Sequence, residues 1–279
     1  MRLGLILACA CLFAGLTAGC GRRTVVRDEW PVMGTVAAVQ TRGHDAVAFA
    51  ASVRTRAQGC FAAIEKLLNA HDPDSELSRL ATKGDDEILS RCSPSVRPCY
   101  AAAFRLAELS GGAFNPRFRG PNTLDLGAIA KGFAVDCAAK ESPAGGSALL
   151  DLGGNLKSLV GDWKTGVKDP SDTRVAAAVD LHAGEALATS AAYYRGNHIV
   201  DGRRGQPATN GVASVTVLCR SAMWADGLST LLFILGPDEG RAFLDNHLSD
   251  LEERLAASVL WIMTDGTHHT YGDARFQGN

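Results

Sequence analysis

"LDLGAIAKGFAVD" (residues 124–136) and "LDLGGNL" (residues 150–156) open on the same four letters. Each sets two leucines around one aspartate and then meets a glycine, which reaches positive φ without a Cβ clash. On this reading both copies are strand ends that turn on glycine. The second copy runs on into strands at 157–160, Trp163–Lys168 and Val175–Leu181, so strand follows strand across short turns. The first copy instead continues into Lys131 between Ala130 and Gly132, whose small side chains leave the ammonium unshaded.

Outward from this centre the pattern changes from period two to helical spacing. Residues 27–43 read as a strand after Pro31. Residues 44–69 carry apolar side chains at helical spacing. A single capped turn is expected at 75–80, and a second helix at 95–109, stopped by Gly111 and Gly112. Toward the C-terminus a strand at 214–218 precedes a helix at 221–235 that Gly236 and Pro237 close, then a further helix at 238–247. Asp265 and Gly266 join Ser258–Met263 to a strand at 267–271 as a hairpin. Strands neighbour strands and helices come in separate blocks. This predicts an α+β fold with mainly antiparallel sheets and packed helices in a single compact domain, and excludes a doubly wound sheet.

At 279 residues the chain is long enough to bury a substantial core. A net charge of −2 with no long basic run gives no footprint for nucleic acid. The start "MRLGLILACACLFAGLTAGCGRR" has the form of a secretory signal and is short for a membrane-spanning helix. Its end, Leu16 to Cys20, resembles a bacterial lipobox, with cleavage by an ordinary signal peptidase as the alternative. The expected organisation is a signal at 1–19, a lipidated Cys20 and tether at 20–29, and the folded domain at 30–279. The chain is therefore expected to be exported and anchored in a membrane by acyl chains, facing the periplasm or cell exterior. Five cysteines then remain, of which Cys92 and Cys99 flank "CSPSVRPC" and could close a short disulfide.

No phosphate-binding glycine loop, zinc-protease motif or esterase elbow occurs. What does occur is a series of polar residues in small-residue settings. Asp226 and Thr230 in "SAMWADGLST" lie four apart, on one face of a helix, where their oxygens suit a hard cation such as Mg²⁺. A helix-end carboxylate with an incidental threonine is the plainer reading. His198 beside Asp201 reads as a structural loop histidine or a base, and Lys131 as a surface lysine or a phosphate clamp.

The order and spelling of "MGT", "DSELSRL", "GAFNP", "LDLGAIAKGFAVD", "LLDLGGNL", "HIVDGRRGQP" and "SAMWADGLST" resemble the FAD:protein FMN transferases, the ApbE-like flavin transferases. That resemblance implies a central flavin cleft and Mg²⁺-dependent transfer of FMN from FAD to a threonine (or serine) of an acceptor flavoprotein, with release of AMP. It implies a metal held by Asp226, Thr230 and the carbonyl of Ala128. It also implies FAD contacts from Met33, His71, Ala113, Phe114, Asn115 and Lys131, and His198 as the base for the acceptor hydroxyl. The implied partner is an acceptor flavoprotein, a subunit of a membrane redox complex. Phosphoryl transfer needs such a set: a cation, a positive side chain and a proton acceptor. The connection from Asn115 to Leu124 is shorter than the family's, and Asn115 and Gly202 replace its common aspartate and proline. A water-accepting FAD pyrophosphatase giving FMN and AMP, and a non-catalytic flavin-binding lipoprotein, are the two alternatives.

Overall fold

Along the strand Ser258–Met263, Val259 and Trp261 join one core while Leu260 and Ile262 join another. The same alternation splits residues 148–152, where Ala148, Leu150 and Leu152 pack on one side and Leu149 on the other. Period-two side-chain direction makes this outcome general for a sheet covered on both faces. The sheet sits between a helical layer and a second, smaller sheet.

The computed structural model describes residues 25–140, 146–191, 199–251 and 255–278. In chain order, β1 (Val25–Val32) and β2 (Thr35–Arg42) lead into α1 (Ala46–Leu68), α2 (Glu76–Leu80), α3 (Asp85–Arg91), α4 (Arg97–Leu109) and α5 (Ala130–Ala139). Then come β3 (Ser147–Leu152), β4 (Asn155–Val160), β5 (Trp163–Lys168), β6 (Val175–Leu181) and β7 (Ala186–Ala191). After the short pair β8 (Val200–Asp201) and β9 (Gln206–Pro207), the chain forms β10 (Val212–Cys219) and α6 (Ala222–Leu251). It ends with β11 (Ser258–Met263), β12 (His268–Tyr271) and β13 (Phe276–Gly278). The large sheet has the order β1-β2-β3-β4-β7-β10-β11-β12 and the small one β13-β6-β5, with every described pairing antiparallel. Helices α1, α5 and α6 cover one face of the large sheet. Leu149, Leu187, Leu218 and Leu260 meet Trp163, Val179 and Leu181 of the small sheet on the other. The α+β, mainly antiparallel expectation holds.

Several local expectations change. The first LDLG copy is no strand end. Asp125 Oδ1 accepts the Gly127 N–H at 2.8 Å, and the Leu126 carbonyl accepts from Ile129 and Ala130. The aspartate thus builds a side-chain turn that launches α5, a helix the periodicity did not announce. Only the second copy is a strand, β3, turning at Gly153 (φ 59) and Gly154 (φ 90) into β4. β1 runs through Pro31 and begins at Val25, ahead of the expected domain start at residue 30. It lies at the sheet edge, where a missing N–H removes no ladder bond. The short helix α3 and strand β7 were likewise unannounced.

Helix α6 breaks where expected: Gly236 takes φ 74 before Pro237, and Asn210 Nδ2 donates to the freed carbonyls of Phe233 and Ile234 at 2.9 Å each. Cys92 and Cys99 are both buried free thiols rather than a disulfide. Their loop is closed instead by N–H groups of Val96 and Arg97 on the Ser93 carbonyl. Burial, with Asp226 adding to it, pushes the Cys99 thiol far up, so it stays protonated. No helix among the described residues is long and apolar enough to cross a membrane.

Candidate active site at the crossing of α5 and α6

Two residues of α5 set its contact with α6. A Cβ on Gly132 would stand 2.1 Å from the Ala222 carbonyl oxygen and 2.7 Å from the Asp226 Cβ, so only glycine lets the two helices close. One turn later Asp136 accepts from the backbone of Ala222 (3.0 Å) and Met223 (2.9 Å) and from the Ser221 hydroxyl (2.9 Å). A carboxylate there satisfies the orphan N–H groups of the α6 N-terminus and complements its dipole. Lys157 Nζ lies 2.8 Å from the same carboxylate. Gly132 and Asp136 are four apart and share one face of α5. The small residue after Lys131 is therefore first a packing requirement.

The crossing buries Asp226. It is 5% exposed, and its Oδ2 accepts the Gly132 N–H at 2.9 Å. Its Oδ1 lies 3.7 Å from Lys131 Nζ, which also donates to the Gly127 carbonyl at 3.0 Å. Burial pushes the Asp226 carboxyl up, against the downward pull of Lys131, the Gly132 N–H and the Asn155 side chain. Thr230, one turn along α6, shares a 3.0 Å hydrogen bond with Ser190 of β7, whose hydroxyl also meets Ser229 at 2.9 Å. Asn155 opens β4 and is 3% exposed. Its Nδ2 donates to Leu152 O, while its Oδ1 has no partner.

One buried carboxylate, the unpartnered Asn155 amide oxygen nearby and the hydroxyls of Thr230 and Ser190 bring oxygen donors into one region. That chemistry suits a hard cation, and Mg²⁺ in particular, which takes one or two carboxylates and completes its shell with water and phosphate. Among the described residues no group of three or more His, Cys, Asp or Glu side chains gathers into a metal cluster. The single carboxylate Asp226 with neutral oxygens nearby fits a cation held jointly with an anionic ligand. Ala128 sits in the turn just before α5, with Ile129 as the helix cap.

The other expected site residues fall on separate elements. Met33 occupies the β1–β2 turn with φ 50, next to Gly34. That turn lies beside the Gly153 turn, where Thr35 Oγ1 would meet a Gly153 Cβ at 2.7 Å and Gly153 N donates to Val36 O. His71 is exposed in the turn after α1. Ala113, Phe114 and Asn115 follow α4 and dock against β8: Gly202 N donates to the Ala113 carbonyl at 3.0 Å, and a Cβ at Gly202 would stand 2.3 Å from the Asn115 Cβ. Glycine in place of the family's proline is what this approach requires. The short connection after Pro116 is tied down by Arg117, which donates to the carbonyls of Ala81 (2.6 Å) and Lys83 (2.7 Å). His198 and Cys20 lie outside the described residues. Asn155, Ser190 and Asp136 were not singled out by sequence; the glycine-flanked "GGN" was the only hint for the first.

Asp201 holds the β8 end in shape by accepting from the Arg203 N–H (3.0 Å) and guanidinium (2.9 Å). That bonding, led by the Arg203 side chain, keeps its carboxyl below the usual range although burial opposes it. A lowered carboxyl stabilises the fold above its unfolded value of about 3.9, and the contribution fades as pH falls through the folded value. Asp201→Asn should cost about 1.5–3 kcal/mol at pH 7. Its urea midpoint should converge on that of the unsubstituted chain as pH falls through the lowered folded value of Asp201.

The sequence matches the ApbE family over residues 33–122 and 117–255, two stretches that meet at the short Arg117 connection. A FAD:protein FMN transferase of Treponema pallidum is 29% identical across 87% of each chain. One from Rhodobacter capsulatus is 34% identical over 53% of this chain, and one from Vibrio cholerae 36% over 43%. In those two the match spans 31% and 40% of the relative's own length. The solved flavin transferase ApbE from Vibrio cholerae superposes with a TM-score of 0.70 at 24% identity, covering 91% of this chain and 98% of its own. The apbe protein of Thermotoga maritima gives 0.68 at 22% identity, covering 88% and 96%. At these identities the structural likeness is one of fold.

Proposed function

The chain belongs to the ApbE family, and on that premise we propose that it transfers FMN from FAD to a threonine or serine hydroxyl of an acceptor flavoprotein, releasing AMP. The observation that carries this reading is the buried Asp226 carboxylate facing the Lys131 ammonium, with the Asn155 side chain beside it and Thr230 one turn along α6. A single carboxylate with neutral oxygens binds a cation weakly alone and well once a pyrophosphate joins it. Asp226, Thr230 and the Ala128 carbonyl would hold Mg²⁺, with the Asn155 side chain beside Asp226. Bound there, the ion supplies charge neutralisation to the bridging phosphates.

Lys131 swings from the Gly127 carbonyl to the phosphate oxygens and steadies them. The acceptor hydroxyl oxygen attacks the phosphorus of the FMN half; the phosphoanhydride bond breaks, and AMP leaves with the electron pair. The hydroxyl proton passes to His198 as base. Met33, His71 and the Ala113–Asn115 segment contribute to the FAD pocket. We further place the protein outside the cytoplasm, tethered through Cys20, with an acceptor in a membrane redox complex. The N-terminal sequence supports this placement.

Purified protein incubated with FAD, Mg²⁺ and an acceptor flavoprotein domain should yield an acceptor that fluoresces under denaturing electrophoresis, with one AMP per flavin attached. Release of FMN and AMP without acceptor labelling would identify a pyrophosphatase instead. FAD recovered intact in every metal condition would leave only flavin binding.

A further inference from the structure

Helix α1 packs along α5, and each contributes one half-buried cysteine to the rim of that contact. Cys60 Sγ lies 4.0 Å from the Ala134 carbonyl, one turn of α5 before Cys137. The two thiols are near enough to act on each other's ionisation, Cys60 shifted down and Cys137 up. The other described cysteines are buried elsewhere, Cys92 and Cys99 near α4 and Cys219 at the end of β10. Neighbouring thiols on two packed helices, both open in part to solvent, are the arrangement from which a disulfide can form.

We propose that Cys60 and Cys137 form an intramolecular disulfide that staples α1 to α5, with a small-molecule or protein disulfide as oxidant.

The chemistry favours Cys60 as the attacking group. The hydrogen bond from Cys137 draws its thiol down to about 7, with Lys140 helping and burial opposing, so a large share is thiolate at neutral pH. The Cys60 thiolate attacks one sulfur of the oxidant, and the first leaving thiolate departs with the S–S electron pair. Cys137 then gives up its proton, and its thiolate attacks the Cys60 sulfur, expelling the second thiolate. Two protein thiols are oxidised by two electrons, one disulfide oxidant is reduced to two thiols, and those thiols carry the two protons. The bond closes a loop containing α2, α3 and α4, so it constrains the unfolded chain strongly. It also fixes the helix that presents Lys131 and Gly132 to Asp226. None of this depends on the reaction the site performs.

The test treats the purified chain with oxidised glutathione, blocks free thiols with iodoacetamide, and maps tryptic peptides without reduction. Peptides 57–66 and 132–140 should appear joined, about 2 Da lighter than the sum of the two thiol peptides. The oxidised protein should melt on the order of 5–10 °C above the dithiothreitol-treated one. Cys60→Ser and Cys137→Ser should each abolish both effects, and the mapping of the unsubstituted chain stands even if either variant folds poorly. Alkylation of both cysteines after oxidation would overturn the proposal. So would separate glutathione adducts, a link to a different cysteine, or equal melting temperatures.

Discussion

Asp226→Asn is expected to lower FMN transfer by roughly 10²–10³ while leaving the melting temperature within a few degrees. The amide keeps the shape of the side chain and an oxygen for the Gly132 N–H, now 2.9 Å away. It removes the one anionic donor of the oxygen set and the charge facing Lys131. Removing a comparable preorganised electrostatic contact costs on the order of 10²–10³ in rate. Asp226→Ala is the less informative change. It leaves the Gly132 N–H unpaired in a buried setting, at about 1–3 kcal/mol, and lowers stability together with rate. The position is far more enclosed than a carboxylate merely facing a cleft, which is why the two variants separate. Turnover against Mg²⁺ concentration and thermal melting, measured on both, decide the matter. Asp226→Asn with turnover within threefold of the unsubstituted enzyme would end the assignment of this carboxylate to the metal.

Gly132→Val should be the most damaging small substitution in α5. Its Cβ must enter a space where the Ala222 carbonyl oxygen stands 2.1 Å away, and backbone cannot step aside as a side-chain tip does. Overpacking of this kind costs about 1–3 kcal/mol, or roughly 3–10 °C in melting temperature for a chain of this size. The helices must separate, so the Gly132 N–H leaves Asp226 and transfer falls with stability. Gly59→Ala is the control. Gly59 lies within α1 with nothing within 4 Å of a built Cβ, and alanine there should add about 0.5–1 kcal/mol. Equal melting temperatures for the two variants would show that α5 does not pack on α6 at Gly132.

The sequence by itself determined the class of the fold, because alternation and turn residues are local signals. Gly153 and Gly154 turn β3 into β4, Asp265 and Gly266 turn toward β12, and Gly236 with Pro237 breaks α6, each for backbone reasons confined to a few residues. The i, i+4 pair of Asp226 and Thr230 was legible for the same reason, since helical spacing alone puts both on one face. Local signals failed where one segment borrows its conformation from another. Asp125 belonged to a side-chain turn ahead of a helix that periodicity did not mark, and Pro31 fitted a strand because that strand is an edge. Only the tertiary structure decided why Gly132 is glycine, that Asp136 caps α6, and that Asn155 and Ser190 join Asp226 and Thr230. It also decided that Gly202 suits Asn115 and that Cys60 meets Cys137. Each of these contacts joins residues far apart in the chain. Steric closeness and desolvation at such contacts arise from packing, and no window of neighbouring residues encodes them.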